Sequence, residues 1–330
     1  MHYNYAIEIG GSFTTIYARN QGFVLKEPTL IAVETNAEGY HVKATGTEAK
    51  KLVWKTLDEV EVFNPISNGV IENFEYAQVL ISTFLKKIKY KKSSNILVLV
   101  PCGLKNEEKE AYYTLFEKFG FNEISLVPSV LCALIGQGVN VLSPKANMIV
   151  DIGGATTDIA VVNLGSILKG VTLGLGGKAM DIAVSNALAM AKDGIMIGLP
   201  TAERVKNEIG SLYANDTLNM EVMGLDTATN TPKTKIIFSK DVKHVFEAFL
   251  DEIIRTINVT INTLPPEISA DIIKNGVIFT GGVSQLTGLD DYLKRNISYP
   301  YTISEDAENA AMIGAGKLLS DEALLAKVLG

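Results

Sequence analysis

Short apolar runs alternate with amphipathic stretches along the chain, and the two periods separate strands from helices. Tyr5–Ile9, Thr14–Ala18 and Phe23–Leu25 read as three strands of a meander, with Leu30–Val33 beside it. Thr47–Val53 reads as a short helix opening on a Thr cap. Phe74–Ile88 is a longer one, with Phe74, Val79, Leu80, Phe84 and Leu85 on one stripe. Ile96–Val100 is a buried-type strand stopped by Pro101, Asn106–Phe119 is helical, and Ile124–Val127 is a strand that runs into helix Ser129–Gly136. A second meander spans Met148 to about Leu173, and Gly176-Gly177 then introduces helix Lys178–Ala191. Helix Thr201–Ser211 and a hairpin of Met220–Met223 with Lys235–Phe238 follow. A long helix capped by Ser239 runs to about Thr263, stopped by Pro265 and Pro266. Strand Val277–Thr280 and helix Asn309–Leu319 complete the pattern. Strands interleaved with helices predict an α/β fold.

The two meanders are copies. Glu8–Leu25 reads EIGGSFTTIYARNQGFVL and Asp151–Leu168 reads DIGGATTDIAVVNLGSIL, identical without a gap at Ile9/Ile152, Gly10/Gly153, Gly11/Gly154, Thr14/Thr157, Ile16/Ile159, Asn20/Asn163, Gly22/Gly165 and Leu25/Leu168. Each copy is an apolar strand ending in an acid, a small-residue turn, a second strand and an Asn-x-Gly reversal. Two such halves predict a cleft that grips a polyphosphate and its metal from both sides.

Composition narrows the partners. The 330 residues are 47% apolar and 20% charged, enough for two domains with cores of their own. A formal net charge of −7 argues against nucleic acid, which rewards a surplus of Lys and Arg. Cys102 and Cys132 lack metal-ligand spacing and read as buried free thiols in a reducing compartment. MHYNYAIEIGG enters the first strand with no basic-apolar leader, and no apolar run approaches the ~20 residues that span a bilayer. These features predict a cytoplasmic protein whose membrane contact, if any, is peripheral.

Three Gly-Gly turns follow apolar strands: Gly10-Gly11-Ser12, Gly153-Gly154-Ala155 and Gly281-Gly282-Val283. One alone serves many hairpins. Three, two of them in matched copies, favour a backbone that closes on an anion. Ser12, Thr14, Thr156 and Thr157 offer hydroxyl donors. Glu8 and Asp151 stand at strand ends where carboxylates hold Mg²⁺ through its waters, or serve simply as solvated turn caps.

With these turns the chain resembles the actin/Hsp70 ATPase superfamily and, within it, the MreB-type bacterial actins. The phosphate-1 motif matches EIGGSFTT, the phosphate-2 motif matches DIGGATTD, and the adenosine motif matches Thr280-Gly281-Gly282-Val283-Ser284. GFVLKEPTLIAV, FNPISNGVIENF, TAERVKNEIG, LPPEISADIIKNGVIFTGG and AAMIGAGK extend the likeness, in order, from about Tyr5 to Lys317.

The resemblance implies an actin-like, duplicated RNase H-like fold of two lobes around an ATP–Mg²⁺ cleft. One domain would take residues 1–146 plus about 315–330, the other 147–314. Gly10, Gly11, Ser12, Phe13 and Thr14 would line one phosphate hairpin, and Gly153, Gly154, Ala155, Thr156 and Thr157 the other. Gly176 and Gly177 would lie near the ribose and phosphates. Glu203, Lys206 and Glu208 would border the adenosine, although their spacing alone reads as an exposed charged helix face. The resemblance also implies head-to-tail protofilaments and a role in cell shape. A compact chaperone or reactivating factor, and a non-polymerising pseudo-ATPase, are the competing readings. Lys86-Lys92, a basic run in an acidic chain, lies where such a domain turns towards membrane; a solvated helix end rich in cations is the plainer account.

Four positions depart from the family pattern. Glu8 replaces Asp, Ala155 replaces Gly, and Val283 replaces the third Gly of the adenosine loop. Ser129 stands where the family carries the Glu that positions the attacking water. With that carboxylate lost, ATP binding with weak or absent hydrolysis is expected.

Overall fold

The computed structural model describes residues 3–36, 39–53 and 60–329. Its frame is a pair of five-stranded sheets with the same topology. The first runs Gly22–Pro28, Phe13–Ala18, Tyr5–Ile9, Asn95–Val100, Glu123–Pro128. The second runs Ser166–Leu173, Thr157–Asn163, Asn147–Ile152, Val277–Thr280, Tyr301–Ile303. In each, an antiparallel meander is extended on its first strand by two parallel strands. The sequence duplication is therefore a duplication of sheet order.

Strand alternation distributes the core. On the first sheet Ile7, Ile96 and Val98 face helices Phe74–Lys87 and Asn106–Glu117, whereas Ala6, Leu97 and Leu99 face inward. On the second, Met148, Val150 and Ile152 face helices Gly177–Met190 and Ser239–Asn262, whereas Ile149, Ala160 and Val162 face inward. Both inward faces share one apolar layer with helices Ser129–Gly136 and Ala310–Ser320. These helices cross backbone to backbone. A methyl on Gly314 would lie 1.7 Å from the Cys132 carbonyl oxygen, and one on Gly136 would lie 2.2 Å from that of Ala310.

Two small three-stranded sheets overhang the frame, one of Gly39–Thr45, Ile31–Asn36 and Val60–Phe63, the other of Ile195–Met196, Asn219–Asp226 and Pro232–Phe238.

Local chemistry sets the helix ends, not always as expected. Asn73 caps Phe74–Lys87, its Oδ1 accepting from the Tyr76 amide at 3.1 Å. That helix buries Ala77, Leu80, Ile81, Phe84 and Leu85; Val79 lies off the stripe and is exposed. Thr47 is the first residue of helix Thr47–Lys50, and the cap comes from Glu27, which accepts from the Thr47 amide and hydroxyl at 2.7 Å each. Ser239 opens its helix rather than capping it: Asp241 accepts from the Phe238 amide at 2.9 Å. Pro200 sits inside the first turn of Leu199–Ile209, so that helix starts before Thr201. Cys132 is buried, but Cys102 is only half-buried, at a contact between the lobes.

Candidate functional site

Strand parity brings the acids together. Glu8 shares the inward face with Ala6, Asp151 with Ile149, and Asp158 with Ala160 and Val162. Glu8 and Asp151 end parallel-paired central strands, so both reach the mouth where the sheets meet. A cleft of about 530 Å³ opens there, within the ordinary range of small-molecule sites.

The two Gly hairpins flank it with matched geometry. The Gly10 amide donates to Phe13 O at 2.9 Å, and the Gly153 amide donates to Thr156 O at 2.8 Å. The glycine carbonyls are tied back into the protein. Gly10 O accepts from the Thr29 hydroxyl at 2.8 Å and Gly11 O from Asn64 Nδ2 at 2.9 Å. Gly153 O accepts from the Gly177 amide at 3.0 Å and Gly154 O from the Lys178 amide at 2.8 Å. With the acceptors occupied, each hairpin tip presents donors, the polarity an anion selects. The tips nearly touch: a methyl on Gly154 would lie 2.1 Å from Ser12 Oγ, and one on Gly11 would lie 2.3 Å from Ala155 Cβ. Ala155 is thus wedged between the hairpins, with its backbone against Gly176.

The third Gly-Gly turn closes the floor. Gly281 has φ +86°, and a Cβ there would lie 2.4 Å from Asp151 Oδ1. Its amide donates to Ala307 O at 2.9 Å. Val283 and Lys206 both approach Gly177. Lys206 donates to Gly177 O at 3.0 Å and pairs with Asp181 at 2.7 Å.

Of the residues expected from the sequence, Glu8, Gly10, Gly11, Ser12, Phe13, Ser129, Asp151, Gly153, Gly154, Ala155, Thr156, Gly177, Glu203, Lys206, Gly281, Gly282 and Val283 line this one cleft. Thr14 and Thr157 lie off its lining. Both are on the outward parity, Thr14 Oγ1 meeting Thr29 Oγ1 at 3.1 Å and Thr157 donating to Leu175 O. Gly176 packs beneath Ala155 rather than opening on the cleft. Glu208 points outward and pairs with Arg204 at 3.0 Å.

Asp158 escaped the sequence reading, though the parity of Thr157–Asn163 marks it. It accepts from Thr172 Oγ1 at 2.6 Å, Thr156 Oγ1 at 3.2 Å and Cys102 Sγ at 3.3 Å, the last across the lobes. Lys26 escaped as well; it lies opposite Thr15 on the neighbouring strand, and both line the cleft.

The acids repel one another. Burial raises Glu8 to about 7, the Asp158 charge adds to the rise, and Lys26 opposes it. Burial, then Glu8, then Asp158 hold Asp151 well above the usual carboxylate range. Among the described residues no group of three acids, His or Cys stands at direct metal-ligand spacing. Such acids suit Mg²⁺ held through its own waters, and the donor-lined hairpins suit phosphates.

The raised pKa favours the folded state below the ordinary carboxylate range, and this advantage fades as pH climbs through about 7. Metal- and nucleotide-free protein is therefore expected to melt a few degrees lower at pH 8 than at about pH 5. Scanning calorimetry of Glu8→Gln should show a flatter profile; an unchanged slope would assign the effect elsewhere.

A family model described as MreB/Mbl protein matches residues 2–327. The cell shape-determining protein MreB of Escherichia coli (strain K12) is 32% identical over 321 residues, covering 95% of this chain and 92% of that protein. The crystal structure of MreB 5 of Spiroplasma citri bound to AMPPNP superposes with a TM-score of 0.91 at 26% identity, covering 98% of each chain. A MamK double helical filament subunit, at 20% identity, gives a TM-score of 0.78 over 96% of this chain and 99% of its own, a likeness of fold alone. The two-lobed, actin-like α/β architecture expected from the sequence is the one the chain adopts.

Proposed function

Because the chain belongs to the MreB/Mbl family, we propose that it is an ATP-binding, actin-like filament subunit that serves cell shape and hydrolyses ATP slowly. The observation that carries the nucleotide reading is the pair of hairpins whose Gly-Gly carbonyls are engaged by protein donors. The amides of Gly11, Ser12, Gly154 and Ala155 would hold the phosphates, and Glu8, Asp151 and Asp158 would orient the waters of Mg²⁺. Val283, Glu203 and Lys206 would border the adenosine. Bound Mg²⁺ would supply charge neutralisation to the phosphate chain. Support for ATP comes from the Spiroplasma relative, whose structure holds AMPPNP.

Slow hydrolysis follows from Ser129, whose hydroxyl can hydrogen-bond a water but cannot take its proton near neutral pH. Head-to-tail assembly rests on family membership and on the filament formed by MamK. A heterologous contact that does not close propagates as a polymer. Lys86, Lys87, Lys89, Lys91 and Lys92 are all exposed, which suits peripheral contact with anionic lipid. Among the described residues no helix is long and apolar enough to cross a membrane.

Calorimetry is expected to detect Mg²⁺-dependent ATP binding, and sedimentation with negative-stain imaging should reveal ATP-dependent filaments. Absence of binding at millimolar ATP would overturn the nucleotide reading. Binding without filaments would leave the pseudo-ATPase or chaperone in its place.

A further inference from the structure

The cleft is short of positive charge. Five acids, Glu8, Asp151, Asp158, Glu203 and Glu308, line the space in which a nucleotide's own phosphates would add about four negative charges, and one divalent ion offsets only part of that. Among the described residues the cations lining the cleft are Lys26 and Lys206. Lys206 is committed: its side chain is largely buried against Asp181 at 2.7 Å and Gly177 O at 3.0 Å.

Lys26 is held differently. Its strand pairs with the one that leaves the first hairpin, with Thr15 directly opposite, so the side chain projects on the cleft face. The ammonium lies 5.4 Å from the centre of the Phe13 ring, at the hairpin's exit, and close enough to Glu8 to pull its pKa down. Its present partners are Glu308 at 2.9 Å and Asn309 Oδ1 at 3.2 Å. The Lys26 and Glu308 side chains are 33% and 43% exposed, and solvent-screened pairs of this kind exchange at little cost.

We propose that Lys26 is a phosphate-binding residue of the cleft, which leaves Glu308 to neutralise the polyphosphate of the bound nucleotide beside the first hairpin. The assignment rests on the nucleotide reading above and adds to it a residue outside the three Gly-Gly turns. A phosphate held by the Gly11 and Ser12 amides would lie beside the hairpin exit over which the Lys26 ammonium already sits. Its fixed positive charge then complements the metal rather than competing for the same acids. Glu308 would hold the ammonium whenever no nucleotide is bound.

Calorimetric titration of full-length protein with Mg²⁺ and either ATP or AMP tests this. Lys26→Met should weaken ATP about tenfold while changing AMP less than about twofold, and Lys26→Arg should restore most of the loss. Glu308→Gln should strengthen ATP, since it frees the ammonium. If Lys26→Met weakens both nucleotides equally, or if Glu308→Gln weakens ATP as Lys26→Met does, the pair is a structural clasp and the proposal fails. An unchanged ATP affinity in Lys26→Met also overturns it. Should wild-type protein bind no ATP, the nucleotide reading itself has failed and this assignment falls with it. Should Lys26→Met not fold, the Lys26→Arg and Glu308→Gln arms still decide.

Discussion

Glutamate at position 129 is expected to raise single-turnover ATP hydrolysis about 100-fold, the low end of what a positioned general base contributes. Ser129 is 7% exposed, is the first residue of helix Ser129–Gly136, and lines the cleft with Glu8 and Asp151. Pro128 ends the preceding strand and fixes the direction in which the helix leaves it. A longer acid there would project into the cleft from the positive end of a helix, where a carboxylate stays ionised and can hold a water. The low end is the sensible expectation because the new charge joins three carboxylates already in mutual repulsion. Phosphate release from pre-bound ATP measures the effect, with affinity determined separately. Ser129→Ala should change the rate by less than about twofold, since the hydroxyl cannot act as a base. If Ser129→Glu binds ATP normally without faster release, Ser129 is not the missing step. Slowing by Asp158→Asn in the wild-type background would then assign that role to Asp158.

Alanine at Gly314 is expected to cost about 3 kcal/mol, at the upper end of overpacking penalties. In an exposed helix the same change would stabilise by about 1 kcal/mol, so the sign itself is diagnostic. Here the added methyl would meet Cys132 O at 1.7 Å and the Gly136 amide at 2.8 Å, both backbone atoms of a helix that cannot step aside. Lys317 pins that helix from the same side, donating to Ile135 O and Gly136 O at 3.0 and 2.8 Å. Thermal or urea denaturation reads the loss, with a melting temperature lower by about 4 °C in a chain of this size. A variant that melts within a degree of wild type would mean that the two helices do not pack backbone to backbone.

What the sequence made legible was what is local. The meander strands carry period-2 apolarity, and the two copies share their turn residues, so the duplicated frame could be read directly. What escaped depends on distant partners. Thr47 looks like a cap, but Glu27 from another strand fills that role. The long helix does stop ahead of Pro265 and Pro266, at Asn262, but Pro266 also opens helix Pro266–Asn275, where its missing amide costs nothing. Helix Leu289–Asn296 and strand Tyr301–Ile303 are too short to rise above their surroundings.

At the site, the glycines announced themselves by pattern, and the acids at the strand ends by alignment. Thr14 and Thr157 were drawn in by hydroxyl chemistry, although parity turns them outward. Asp158 closes the DIGGATTD motif and Lys26 lies beyond the first turn; the pairing of strands reveals that they face the same space.

The apolar layer shared by the two sheets has a mechanical consequence. Because Ala6 and Leu97 from one lobe and Ile149 and Val162 from the other pack on the same pair of crossed helices, the lobes cannot part without exposing that layer. A roll across it would keep the layer covered, with the close crossing at Gly136 and Gly314 as its axle. Ser129 begins one of these two helices, so a ligand pressing there would turn one half of the molecule against the other. In a chain of stacked subunits such turns would accumulate, and the pitch of the assembly would then gauge what each cleft contains.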